Sequence, residues 1–156
     1  MRSSRSNGRT NRFRASAFVF VLATIGVNMR AWFHAPLSPA HLVSWILLLA
    51  SLGLAVRGFL LLSLIGKPQG RIDKTTVLVT IGAYRYIRHP LYTSLLLLAW
   101  GAFLKQPSLP GTILAAAATA SLIATARAVE VELSQKFGGD YAEYRKSTKM
   151  FIPHVF

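Results

Sequence analysis

The sequence predicts an all-α fold: a polytopic membrane protein of about four transmembrane helices plus a short cytoplasmic C-terminal helix. Three observations carry that prediction. Of the 156 residues, 53% are apolar and only 15% are charged, against roughly 25% charged in soluble domains. The apolar residues collect into long runs rather than alternating. The 18 Lys+Arg and 5 Asp+Glu, a net charge of +13, fall mainly between those runs. Backbone groups in hydrocarbon must bond internally, and runs of this length select helices. The absence of cysteine excludes disulfide frameworks, thiolate metal centres and cysteine nucleophiles.

Residues 1–14 form a basic cytoplasmic tail, and residues 15–156 a single membrane-embedded domain. The first run, 15–33, is apolar apart from Asn28 and Arg30. The second, 42–66, is interrupted only by Arg57; 25 helical residues cover about 38 Å, more than the ~30 Å hydrocarbon core. A mid-span arginine is costly in lipid, so Arg57 reads either as functional or as snorkelling to the inner interface. The third and fourth runs, 91–104 and 111–129, flank the turn KQPSLP. The third is short for a full span, which makes the pair a tilted hairpin. Small residues (Ala115 to Ala118, Ala120 and Ser121) let the fourth helix approach its neighbours closely.

Charge then orients the bundle. Arg2, Arg5, Arg9, Arg12 and Arg14 precede the first run, Lys67, Arg71, Lys74, Arg85 and Arg88 lie between the second and third, and Lys136, Arg145, Lys146 and Lys149 follow the fourth. With four spans these segments share one side, whereas the opposite connections hold only Lys105. The positive-inside rule makes the basic side, with both termini, cytoplasmic. An anionic leaflet accounts for the charge, and no nucleic acid is needed. The Arg-rich start also resembles a targeting segment, although Arg30, Trp32 and Phe33 after the first run disfavour a cleaved signal. His34 and His41 read as loop residues, and no histidine pair stands at metal-ligand spacing with a carboxylate, so no metal site is expected.

Chemistry concentrates in two cytoplasmic segments. In TVLVTIGAYRYIRHPLY (76–92), Gly82 ends an apolar run, and Tyr84, Arg85, Tyr86, Arg88, His89 and Tyr92 then crowd together. Pro90 suits the first turn of the third helix, where its missing N–H is harmless. Free N–H groups and the positive dipole end beside Arg88 and His89 make an anion-receiving corner. The same residues also suit plain interfacial anchoring. In the second segment, Glu130 and Glu132 oppose the dipole at the end of the fourth helix unless paired or used. Arg127 stands at i,i+3 to Glu130 and offers such a pair. After Phe137-Gly138-Gly139, Asp140 and Glu143 read as an N-cap with a reciprocal acid, opening a short amphipathic helix.

The run GAYRYIRHPLY, followed by E-x-E-L-x-x-x-F-G-x-x-Y-x-x-Y and a final F-I-P, resembles the isoprenylcysteine carboxyl methyltransferase and phospholipid N-methyltransferase family over residues 69–153. That resemblance implies S-adenosylmethionine-dependent methyl transfer to a lipophilic acceptor, a prenylcysteine-type carboxylate or a lipid amine, at the cytoplasmic face. It makes Gln69, Thr76, Val77, Leu78, Val79, Tyr84, Arg88, His89, Pro90, Leu91, Tyr92 and Glu130 the expected cofactor contacts. Arg88, His89 and the helix start would take the carboxylate, Glu130 the ammonium, and Tyr84 or Tyr92 the adenine or sulfonium. Arg127 and Glu130 are the expected catalytic residues. The chain departs from the family where an acidic pair is usual and Val129-Glu130 stands, and where Ser94 replaces a usual glycine. Nothing matches the arginine that helps recognise the acceptor carboxylate in the prenylcysteine enzymes; Thr125 occupies that position and Arg127 is nearest. Two other readings compete: an NADPH-dependent membrane reductase of the steroid or sterol type, and a non-enzymatic membrane scaffold.

Overall fold

The computed structural model describes residues 2–30, 38–69 and 75–153. Trp32, Phe33, His34, Arg71 and Lys74 lie outside the described residues. The described residues include four α-helices and a 3₁₀ turn: α1 (Arg2–Asn28), α2 (Pro39–Leu64), the turn (Gly82–Arg85), α3 (Pro90–Phe103) and α4 (Leu109–Ser147). Among the described residues there is no β-strand, only two isolated bridges, Pro68 with Thr75 and Ile87 with Lys149.

Helices α2 and α4 are long and apolar enough to cross a membrane. Helix α3 is apolar but has only 14 residues. Helix α1 begins at Arg2, so the stretch expected as a tail is helical. Its apolar part, from Ala15 to Val27, covers about 20 Å at 1.5 Å per residue. Ser38 caps α2 by accepting from the His41 N–H, and Pro39 occupies its first turn. His41 therefore belongs to that helix rather than to a loop.

Helices α2 and α3 run antiparallel and meet along a stripe of small residues spaced seven apart. The Ser44 hydroxyl donates to the Gly101 carbonyl at 2.6 Å, and Ser51 donates to the Ser94 carbonyl at 2.7 Å. One further heptad along, Gly58 faces Leu91 and Pro90. Such small-residue seams with hydroxyl-to-carbonyl bonds hold helices together where lipid removes the hydrophobic drive. Helix α1 packs on α4 through Thr10, Ala17, Val21, Thr24 and Asn28 against Ala115, Ala118, Leu122, Thr125 and Ala126, all buried. Val21, Ala99 and Ala118 form the centre where α1, α3 and α4 meet.

The fourth helix departs from expectation. Instead of ending near residue 129, it continues to Ser147 with one break at Gly138, whose φ of 55° and ψ of −122° are open to glycine. Asp140, expected as a new N-cap, is exposed two residues past that break. The piece beyond the break carries Tyr141 and Tyr144 back toward the start of α3.

Candidate active site

The turn at Gly82 aims the motif inward. Gly82 has φ +61° and sits so close to Leu61 that a Cβ would lie 2.7 Å from its Cδ1. Tyr84 is thereby buried, and its carbonyl accepts from the Tyr144 hydroxyl at 2.6 Å. The chain after α4 then stitches the motif in place. The Arg88 N–H donates to the Lys149 carbonyl at 2.7 Å, the His89 N–H to the Met150 carbonyl at 3.2 Å, and the Lys149 N–H to the Tyr86 carbonyl at 3.3 Å. The Thr93 hydroxyl adds a bond to the Phe151 carbonyl at 3.2 Å.

Arg88 is the hub. Its Nε donates to Glu130 Oε1 at 2.7 Å, and its Nη1 donates to the Thr148 carbonyl and to that of Arg145. Glu130 therefore pairs across helices with Arg88, not with Arg127 as i,i+3 spacing suggested. Burial raises the Glu130 carboxyl, but the nearby His89 ring and the hydrogen bond and charge of Arg88 outweigh it and hold it at about 2. His89 Nε2 lies 3.5 Å from the same oxygen, a contact too long to close as a hydrogen bond. Burial pushes the imidazole below its ordinary value against the pull of Glu130, so it stays neutral near pH 7. Its ring stacks on Tyr92 at 5.4 Å and 21°, and the Tyr92 hydroxyl accepts from Arg14 Nε at 3.2 Å.

These groups surround a cavity of about 410 Å³. The segment leading into the turn, the turn itself and the residues into α3 contribute Leu78, Val79, Tyr84, Arg88, His89, Leu91 and Tyr92, all expected from the sequence. Pro90 is buried as the first residue of α3, whose start has no side-chain cap, and Glu130 stands behind Arg88. The structure does not bring the remaining expected residues into the lining. Gln69, Thr76 and Val77 are exposed on the connection after α2, where the Thr76 hydroxyl donates to the Lys67 carbonyl at 2.9 Å. Arg127 is exposed on α4, one turn before Glu130. Arg57 is likewise exposed, on α2, away from the cavity.

Sequence reasoning missed the other walls. Tyr141 and Tyr144 line the cavity from beyond the α4 break; their i,i+3 spacing on one helix face was the available signal. Arg14 and Phe18 close it from α1. Nothing marked Arg14 among five arginines in one short stretch. Glu132, by contrast, turns to α1 and accepts from the Thr10 hydroxyl at 2.8 Å.

The profile of the phospholipid methyltransferase family matches residues 39–139, from the first turn of α2 to just past the α4 break. No curated protein and no solved structure matches the chain. The match holds both helices long enough to span a membrane, the turn that buries Tyr84, and the Arg88–Glu130 pair at the cavity. Spanning well over half of its length, it shows that the chain belongs to the phospholipid methyltransferase family.

Proposed function

We propose that the protein transfers a methyl group from S-adenosylmethionine to a lipophilic acceptor that enters from the bilayer, in a chamber at the cytoplasmic end of the helices. The observation that carries this reading is the cavity itself, whose apolar wall meets a cluster of polar and aromatic groups from both motifs. Its volume falls within the range of small-molecule sites, roughly 300–1,000 Å³. Two buried polar atoms on residues that line it, His89 Nε2 and Tyr141 Oη, have no closed hydrogen bond. Such orphans call for a partner. The residues present therefore fit a polar, partly aromatic ligand such as this cofactor.

When bound, S-adenosylmethionine supplies a methyl group already activated by its sulfonium. The chain's own residues then have to bind, orient and exclude water. Tyr84 and Tyr92 offer faces for an adenine ring or a sulfonium. The uncapped start of α3, beside His89, suits a carboxylate. Glu130, ionised at neutral pH, anchors Arg88 from behind the lining. Leu91, Leu95, Val129 and Leu133 form the apolar wall along which an acyl or prenyl chain would lie. Exposed Arg127 is assigned no part in the chamber. Both chain ends serve the same end of the bundle, since Thr10 bonds to Glu132 and Arg14 to Tyr92. With the basic residues gathered there, this supports a cytoplasmic chamber.

Membership of a methyltransferase family favours this reading over a reductase or a scaffold. Detergent-purified protein is incubated with methyl-labelled S-adenosylmethionine and, separately, an aminolipid or a prenylcysteine analogue. Label moving into one lipid, and lost in His89→Ala, is the expected result and identifies the acceptor. No transfer to either, with NADPH oxidation in its place, would overturn the assignment.

A further inference from the structure

We propose that the Tyr141 hydroxyl donates a hydrogen bond to an oxyanion, a carboxylate or lipid phosphate oxygen, on the molecule that fills the cavity. Tyr141 is the first tyrosine of the F-G-x-x-Y-x-x-Y run, just past the matched segment 39–139. It is 1% exposed, yet it lines the cavity. Its hydroxyl has no closed hydrogen bond, whereas Tyr144 spends its own on the Tyr84 carbonyl and the Tyr92 oxygen accepts from Arg14.

The neighbours decide what kind of partner is missing. Arg88 stands beside the phenol, but a guanidinium only donates. Whatever Arg88 gives Tyr141 falls on the oxygen, and the phenolic proton remains to be delivered. Burial, reinforced by Glu130, pushes the phenol up to about 12, so the proton stays on the oxygen at neutral pH. Arg88 and Arg145 act on it in the opposite sense, and the Glu130 charge is already engaged by Arg88. A buried donor beside the Arg88 guanidinium suits an anionic oxygen and not an ammonium. A buried donor with no acceptor is rare in folded proteins, and here the opening that could supply one is the cavity.

The identity of the occupant, though not the hydrogen bond, rests on the methyltransferase reading. Two sources could supply the oxyanion, the cofactor's carboxylate or an anionic acceptor, and paired ligands separate them. Wild type and Tyr141→Phe are titrated with S-adenosylhomocysteine and with its decarboxylated amine, which differ only in the carboxylate. Retention of dioleoyl phosphatidic acid and of dioleoylglycerol is compared by native mass spectrometry. The substitution removes one oxygen and no charge, so nonspecific attraction of anions to this basic protein is unchanged. The neutral or decarboxylated member of each pair reports that the fold is intact. The expected result is about tenfold weaker binding of the anionic member of one pair, its partner unchanged. Loss in the first pair assigns the oxyanion to the cofactor, and loss in the second to the acceptor. No change in either pair, or an equal loss for both members, overturns the proposal. Wild-type protein that binds no S-adenosylhomocysteine would instead defeat the methyltransferase reading and leave the lipid pair to test Tyr141.

Discussion

The Arg88 guanidinium joins three parts of the chain: Glu130 in α4, and the carbonyls of Arg145 and Thr148 past its break. Sequence reading assigned Arg88 to an incoming carboxylate, because residue type and helix start were visible and the partner, 42 positions away, was not. Both side chains of the pair are buried. Glu130→Leu strands the guanidinium and should cost about 3–5 kcal/mol, whereas Glu130→Gln keeps an acceptor and should cost less. Denaturant unfolding in detergent, followed by circular dichroism, reads both. The same cluster sets a pH dependence. His89 has its folded value pushed below 6.5, so the unfolded chain takes up that proton first and stability falls as pH drops below 6.5. Glu130 is held down from 4.5 to about 2, so its contribution is full above 4.5 and is lost between 4.5 and 2. The unfolding midpoint should therefore fall in two stages on acidification, and His89→Asn should remove the upper one. A midpoint that rises between pH 7 and 5 contradicts the buried neutral imidazole.

At the scale of elements, the break at Gly138 decides where Tyr141 and Tyr144 end up. Its backbone lies in a region that L side chains rarely adopt, and no atom stands within 4 Å of an added Cβ. Gly138→Ala should thus cost about 1–3 kcal/mol through the backbone alone and weaken ligand binding by misdirecting both tyrosines. Gly139, helical and equally open, should respond with the opposite sign, gaining roughly 0.5–1 kcal/mol as alanine. Thermal unfolding of the two variants side by side checks the contrast; equal responses would remove the argument for a required break. The Gly-Gly pair was legible in the sequence as punctuation. Read locally it ended one helix and opened another, and the backbone does break there, at Gly138. Helix α1 was legible as a helix and not as a wall of the site, because nothing in a run of arginines distinguishes Arg14, which meets Tyr92, from its neighbours.

For the whole molecule, the apolar exterior is the dominant fact. Ile46, Leu49, Leu52 and Phe59 on α2 are all exposed, and only 11% of the apolar window of that helix is buried within the molecule. A water-facing helix would not carry such a surface, and lipid provides the missing contact. This level was the most legible, since hydropathy runs and charge asymmetry report on solvent directly, whereas pairs such as Arg88 with Glu130 arise only from tertiary packing. The four crossings expected from the sequence would put both ends on one side. Because the chain has no cysteine, single cysteines at Ser3 and Ser147 can be labelled by an impermeant maleimide. Both should react from the cytoplasmic side, and labelling from opposite sides would break the four-span arrangement. The central claim is that the cavity between the turn, α3 and α4 binds S-adenosylmethionine. Calorimetric titration of S-adenosylhomocysteine into the detergent-purified protein tests it most directly. The account predicts saturable binding at one site, weakened about 10- to 150-fold in His89→Ala and in Tyr92→Ala; absent binding, or affinity unchanged in both well-folded variants, would contradict it.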